Sequence, residues 1–308
     1  MSGFVLTDNS HDPRVNDIVL LEAAFRCRLL QQRHFGALTG RSAKSLERRL
    51  LQLARNGYLG RKKLAHTPYV YFASSAGQHE LLVRGRIKEQ ELRPRAFSDL
   101  KPLYADHELM LTDIHVALWL AAKNGPLTFT RWEQGRGLHA SVVIDRQRLP
   151  WRPDALVAFE DSRRQEGRNK AAFFLEADRS SEGHRQFAQK LQAYWAALNA
   201  KMHEKRYGIP SFRVLTFCLT DARARNLCGL TRATLPKEAW KFFLFTDVGY
   251  VALDDPARVL DEVFLAPRDH DKGLRYPLIR APQATATAAP TPVPMQSFVT
   301  GPVPAVSR

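Results

Sequence analysis

Cysteine is scarce: Cys27, Cys218 and Cys228 are all that the 308 residues contain. An odd, sparse set without paired spacing argues against a disulfide framework and against a zinc ribbon, and fits a reducing compartment. No run of about 18 apolar residues occurs, so no segment is expected to span a membrane. The opening MSGFVLTDNSHDPR has no basic stretch followed by an apolar one, so no signal peptide is expected and the location is read as cytoplasmic. Acidic residues are the other shortage. The 31 Asp+Glu stand against 46 Lys+Arg, a formal net charge of +15. Such an excess speaks of partners, not of fold, and points first to nucleic acid.

The excess is concentrated. Residues 1–95 hold 17 Lys+Arg and 8 Asp+Glu, a net of +9. Within them NDIVLLEAAFRCRLLQQR (16–33) predicts a helix, because Ile18, Leu21, Phe25 and Leu29 fall on one face. HFGALTGR predicts a short helix stopped at Gly40, and Ser42 suits the N-cap of a third helix that ends at Gly57. Ala43, Leu46, Leu50, Leu53 and Ala54 line one side of that helix; Arg41, Lys44, Arg48 and Arg55 line the other. YLGRKKLAHTPYVYFAS then predicts a β-hairpin with basic residues Arg61, Lys62 and Lys63 and a turn near His66–Pro68.

Three helices and a hairpin in this order resemble a winged helix-turn-helix, which would place the third helix in the major groove of double-stranded DNA and the hairpin on its flank. Arg41, Arg61, Lys62 and Lys63 would contact phosphates; Lys44, Ser45, Arg48 and Arg49 would reach base edges. The boundaries expected are 14–83 for this unit, 84–103 for a polar linker, 104–270 for a second domain and 271–308 for a disordered tail rich in Pro, Ala and Thr.

The second domain starts with a helix in DHELMLTDIHVALWLAAKNG, with Leu111, Ile114, Leu118 and Ala121 on one face and Asn124-Gly125 as its end. Strands are expected in LTFTRWEQ, SVVID, DALVAFE, AAFFLEAD, FRVLTFCL, KFFLFTD and GYVAL, with helices in HRQFAQKLQAYWAALNAK and RARNLCGLTRATL. The class is α+β or α/β, a sheet covered by helices. In AFFLEAD, Glu176 and Asp178 share a face, because side chains alternate along a strand. If the preceding strand pairs beside them, Asp154 converges on Glu176, and a divalent cation would relieve the repulsion between the two. Lys190 lies about 60° from the centre of the next helix's buried stripe, within reach of the strand ends. The plainer alternative has Glu176 and Asp178 capping the next segment or pairing with Arg152 or Arg179. Arg131 and Arg179 are further phosphate contacts to consider.

Asp154 in RPDALVAFE, Glu176 in FFLEADR and a helix bearing Lys190 and Tyr194 resemble the restriction-endonuclease-like PD-(D/E)XK fold. With the His107-Glu108 helix and the strand carrying Arg131-Trp132-Glu133, residues 14–250 resemble the replication-relaxation family of bacterial and plasmid proteins. The resemblance implies Mg²⁺ held by Asp154 and Glu176, with the Ala177 carbonyl as a further ligand, Asp178 and Glu108 as outer ligands, and Lys190 positioning a water. Asp178 stands where the superfamily has lysine, so either the lysine has moved to Lys190 or hydrolysis has been lost. The functions implied are a DNA-binding protein of plasmid or mobile-element replication, an Mg²⁺-dependent endonuclease, or a winged-helix transcriptional regulator. The protein partners implied are a plasmid relaxase or replication protein, with a homodimer left open.

Overall fold

The computed structural model describes residues 13–64, 67–93, 102–123, 125–144, 146–180 and 182–282. The first unit runs α1 (Pro13–Arg26), β1 (Leu30–Gln31), α2 (Gln32–Thr39), α3 (Ala43–Arg55), β2 (Leu59–Lys62), β3 (Val70–Ala73) and α4 (Ser75–Val83). Its three strands lie in the order β1-β3-β2, antiparallel throughout. The helix expected over 16–33 stops at Arg26. Arg28 takes a φ of 66°, which ends α1 and lets Leu30 and Gln31 pair with β3. α3 forms as expected, with Ser42 capping its N-terminus and Leu46, Leu50 and Leu53 buried; Ala43, expected on that face, is exposed. Gly60 faces Phe72 so closely that a Cβ would lie 2.1 Å from the ring, so any larger residue there would displace the Phe72 ring.

Residues 84–93, the described part of the expected linker, fold back onto α1. Arg93 donates to the Phe25 carbonyl at 2.7 Å and Arg26 pairs with Glu91 at 3.1 Å.

The second unit opens with α5 (Pro102–Lys123). It continues through β4 (Leu127–Gln134), β5 (Ala140–Ile144), β6 (Gln147–Trp151), β7 (Ala155–Asp161) and β8 (Lys170–Asp178). There follow α6 (His184–Asn199), α7 (Met202–Tyr207), β9 (Arg213–Cys218), α8 (Asp221–Thr234), β10 (Phe243–Asp247), β11 (Phe264–Leu265) and β12 (Arg275–Tyr276). Seven strands form one mixed sheet, β12-β11-β10-β9-β8-β7-β4, in which β8, β9 and β10 are parallel. Phe173, Leu175 and Phe217 face α5; Phe174, Val214 and Phe245 face α6 and α8. Both faces are covered, which is why these strands read as continuous apolar runs.

Three expectations change here. GYVAL is no strand: Val248–Tyr250 form a 3₁₀ turn, and β11 and β12 complete the edge instead. Residues 271–282, expected in the tail, carry β12 and the fully buried Leu278; the rest of that segment lies outside the described residues, as do His66 of the hairpin turn and Asn124. β6 was not anticipated, because Pro150 cannot donate to a ladder; it is tolerated in the two-stranded β5–β6 hairpin, where it sits opposite Ser141.

α5 is not the one-faced helix expected. Every residue from Glu108 to Ala122 except Asp113 and Leu120 is buried, because the first unit and the 3₁₀ segment Pro256–Leu260 cover what the sheet does not. Thr112 donates to the backbone carbonyls of the α1–β1 turn, with 2.7 Å to Leu29, and Asp113 lies 2.8 Å from the buried His34. His115 stacks on Trp132 at 4.0 Å with the rings 2° apart. Among the described residues no helix is long and apolar enough to cross a membrane.

Burial holds His115 neutral, dropping its pKa to about 3 with a smaller push from Arg26. A base with a depressed native pKa stabilises the fold fully above its unfolded pKa and loses that contribution as the pH falls toward the native one. The His115 share should therefore decline by about 2 kcal/mol between pH 7 and pH 5. His115→Phe keeps the stack and removes the proton site. Its urea midpoint should fall less than the wild type's over that interval; equal slopes in the two proteins would sink this assignment.

Candidate functional site

Antiparallel pairing of β7 with β8 puts Ala155 opposite Leu175, so Asp154, just before β7, arrives beside the end of β8. Its Oδ2 accepts the Ala177 amide at 2.8 Å and lies 3.2 Å from His107 Nε2 of α5. Glu176 points to the other layer. Lys190 Nζ donates to its Oε2 at 2.6 Å and the Tyr194 hydroxyl to its Oε1 at 2.5 Å. The two donors are four residues apart on α6, hence on one helix face. Glu182 takes a second contact from Lys190 at 3.0 Å. Thr216 on β9 registers with Glu176, and its buried hydroxyl has no hydrogen-bond partner among the described residues.

The two acids are driven apart. Burial pushes the Glu176 carboxyl up to about 7, against the pull of Lys190 and with help from Asp154. Burial would raise Asp154 as well, but His107, Lys190 and the Ala177 amide outweigh it and hold it below the usual carboxylate range. Lys190 is held above its ordinary value, because Glu176, Asp154 and Glu182 overcome the cost of burying an ammonium. His107 also stands above its ordinary value: burial lowers it, and Asp154, Glu108 and Glu176 more than restore it. Tyr194 is raised by burial and by the adjacent Glu176, which keeps its proton on the phenol as a donor.

Of the expected site residues, Glu176 and Lys190 are in contact, and Asp154 is near enough to act electrostatically on both. Asp178 and Glu108 do not join them. Asp178 shares the Glu176 face but is taken by Arg223 at 2.8 Å and by the Ser180 amide at 2.5 Å. Glu108 is buried against Gln134 at 3.0 Å and Arg28 at 3.4 Å. Successive helix residues point about 100° apart, so α5 offers His107 to the cluster and turns Glu108 toward β4. Arg179 is likewise paired with Asp106, and Arg131 with Glu133.

The magnesium expectation can be tested on the donors themselves. Both Glu176 oxygens already accept from cationic or hydroxyl donors, one Asp154 oxygen is occupied, and Asp178 is neutralised by a guanidinium. Among the described residues no group of three or more His, Cys, Asp and Glu is disposed to hold a metal ion. In this arrangement the residues do not fit a divalent cation.

The DNA-facing candidates divide. Lys44, Ser45 and Arg48 are exposed on α3, with Arg41 half-buried just before it. Arg49 is drawn inward onto Asp17 of α1 and Gln52, so it ties α3 to α1. On the hairpin, Arg61 and Lys63 are exposed; Arg61 lies 3.4 Å over the half-exposed Tyr69 ring, and Lys62 is half-buried. His107, Tyr194, Glu182 and Arg223 were missed as site residues. Tyr194 and His107 enter the resemblance beside Lys190 and Glu108 but are given no role at the site, and nothing local marks Glu182 or Arg223.

The molecule is an α+β protein: a basic helix–hairpin unit sharing a core with a mixed sheet that carries a buried acid–lysine–tyrosine cluster at its strand ends. A family model described as replication-relaxation matches residues 26–211, and the chain belongs to that family, with a role in replication and relaxation. No curated protein and no solved structure matches it.

Removing one member of a buried ion pair costs about 3–5 kcal/mol because the other charge is stranded. A carboxyl whose native pKa is raised favours the fold below its unfolded pKa and loses that contribution as the pH rises through the native value. Lys190→Met raises Glu176 further. It should therefore cost about 3 kcal/mol at pH 8 and clearly less at pH 5, where Glu176 takes a proton. Urea denaturation at the two pH values reads this, and a pH-independent loss would mean that the pair is not the source.

Proposed function

We propose that this chain is a DNA-binding protein of plasmid or mobile-element replication that grips duplex DNA through α3 and the β2–β3 hairpin. The observation that carries the reading is the outer side of α3. Lys44 and Arg48 are exposed there, and among the described residues neither they nor Arg41 is engaged by a carboxylate, although Glu47 shares the helix surface. Buried apolar residues hold the helix rigidly from behind, so a cationic side is presented without being consumed by internal pairing. The three-stranded antiparallel sheet with β1 between α1 and α2, and a hairpin carrying Arg61 and Lys63, supports the winged-helix reading.

The order α5, β4, β7, β8, α6, β9 agrees with a PD-(D/E)XK-like fold for the second unit. Its cluster supports a binding role in preference to hydrolysis, since Glu176 is committed to Lys190 and Tyr194 and no step can be derived through a metal here. Asp154 and Glu176 then act by holding the ends of β7 and β8 against α5 and α6.

Each phosphate contact contributes about 0.9 to the slope of log affinity against log salt. Lys44→Ala with Arg48→Ala should weaken binding to duplex DNA by about tenfold at moderate salt and lower that slope by about 2. Fluorescence anisotropy over a salt series measures both, and unchanged affinity in the double variant removes the winged-helix assignment. Supercoiled plasmid incubated with the protein and Mg²⁺ or Mn²⁺ should stay supercoiled. Nicking that disappears in Glu176→Ala would replace this reading with the endonuclease.

A further inference from the structure

A second basic surface lies in the sheet unit, on residues to which nothing above assigns a role. The β5–β6 hairpin, the turn Arg136–Leu138 and α7 enclose a cleft of about 1050 Å³, lined by Arg136, His139, Arg148, Arg152 and Arg206 with Ser141 at its wall. All five basic residues are exposed. Among the described residues no Asp or Glu lines the cleft, and none pairs with any of the four arginines. That is unusual in a protein whose other arginines are so often spent on carboxylates: Arg49, Arg131, Arg163, Arg179 and Arg223 all are.

Two of the arginines are held in place by uncharged groups. Arg206 donates to the carbonyls of Gly137 and His139 at 2.9 and 3.1 Å, and Arg148 donates to the Ser141 hydroxyl at 2.5 Å. Such bonds orient a guanidinium and leave its charge uncompensated. Arg136 and Arg152 make no hydrogen bond or ion pair within the described residues. Arg152 stands two residues before Asp154, so the cleft opens beside the acid cluster.

We propose that this cleft is a phosphate-binding groove for the backbone of a nucleic acid strand, separate from the α3 surface. Guanidinium forks match phosphate oxygens, and several in one groove match a chain of phosphates better than a single anion. The rest of the lining includes Ala140, Pro150 and Met202 and no aromatic ring. Small-molecule pockets are mostly apolar, and sequence is read through contacts to base edges; this groove offers mainly guanidinium groups matched to phosphates, so it binds without regard to base sequence. The proposal goes beyond the α3 reading and does not depend on it, although together the two surfaces give one chain two grips on DNA.

The test uses the full chain and compares Arg136→Ala/Arg148→Ala/Arg152→Ala with Lys44→Ala/Arg48→Ala on a short duplex of arbitrary sequence and on one of its strands. Arg206 is left alone because its two bonds to the Gly137 and His139 carbonyls hold the turn that leads into β5. The triple variant should bind about tenfold more weakly, with a salt slope lower by about 2 to 3, and equally so for unrelated sequences. If it binds as wild type does while the α3 variant is weakened, the groove is overturned and the α3 reading stands. The reverse pattern supports the groove and removes the α3 reading, and wild-type binding by both variants removes both. A wild-type readout guards against misfolding: phenylglyoxal modification, read by mass spectrometry, should show Arg136, Arg148 and Arg152 protected by duplex DNA. Protection by inorganic pyrophosphate but not by DNA would instead make the groove a free-nucleotide or polyphosphate site and overturn the proposal.

Discussion

α5 has almost no solvent face, and the arrangement of the whole molecule follows from that. A helix buried on one side can rest on a sheet; a helix buried on nearly all sides needs a second body to cover it. Here the cover is the α1–β1 turn and α2 together with the 3₁₀ segment Pro256–Leu260. Met110, Leu111 and Ile114 belong to one apolar cluster that runs from Leu20 and Phe25 to Phe173 and Leu215. The polar contacts at the same junction are specific. Thr112 donates to the buried Leu29 carbonyl in the turn after α1, and Asp113 satisfies a buried histidine. The basic unit and the sheet unit thus share a core and are not beads on a flexible string.

That shared core also decides the electrostatics at the strand ends. α5 brings His107 to Asp154 from one layer, and α6 brings Lys190 and Tyr194 to Glu176 from the other. Two neighbouring carboxylates would repel each other in a dry site, and here separate cationic partners relieve the repulsion where a shared ion would otherwise do so. The division has a cost, because a buried carboxylate at Glu176 is tolerated only while Lys190 holds it. Exposed basic residues without a carboxylate partner among the described residues include Lys44 and Arg48 on α3, Arg61 and Lys63 of the β2–β3 hairpin, and Arg136, Arg148 and Arg152 around the β5–β6 hairpin.

The strongest parts of the sequence reading came from local periodicity. α3, with its Ser42 cap and leucine stripe, was legible because a helix repeats its environment every turn. The strands β7, β8 and β9 were legible as apolar runs, and the common face of Glu176 and Asp178 as simple alternation. The failures have local causes too. One residue in a left-handed conformation, Arg28, split a helix that periodicity had carried through, and nothing in side-chain chemistry marks an arginine for that role. Pro150 concealed a strand because proline is excluded from central ladders, and β6 is not central.

Sequence by itself determined the α+β class, the basic character of the first unit and the common face of Glu176 and Asp178, because each depends on neighbours along the chain. Only the tertiary structure decided which charges remain available. Arg223, 45 residues from Asp178, neutralises it, Gln134 and Arg28 absorb Glu108, and Asp17 withdraws Arg49 from the surface. A side chain's chemistry is written in its residue type, but its partner is set by packing between distant segments. A carboxylate that could bind an ion and one that is already satisfied look identical until the fold brings the cation to it.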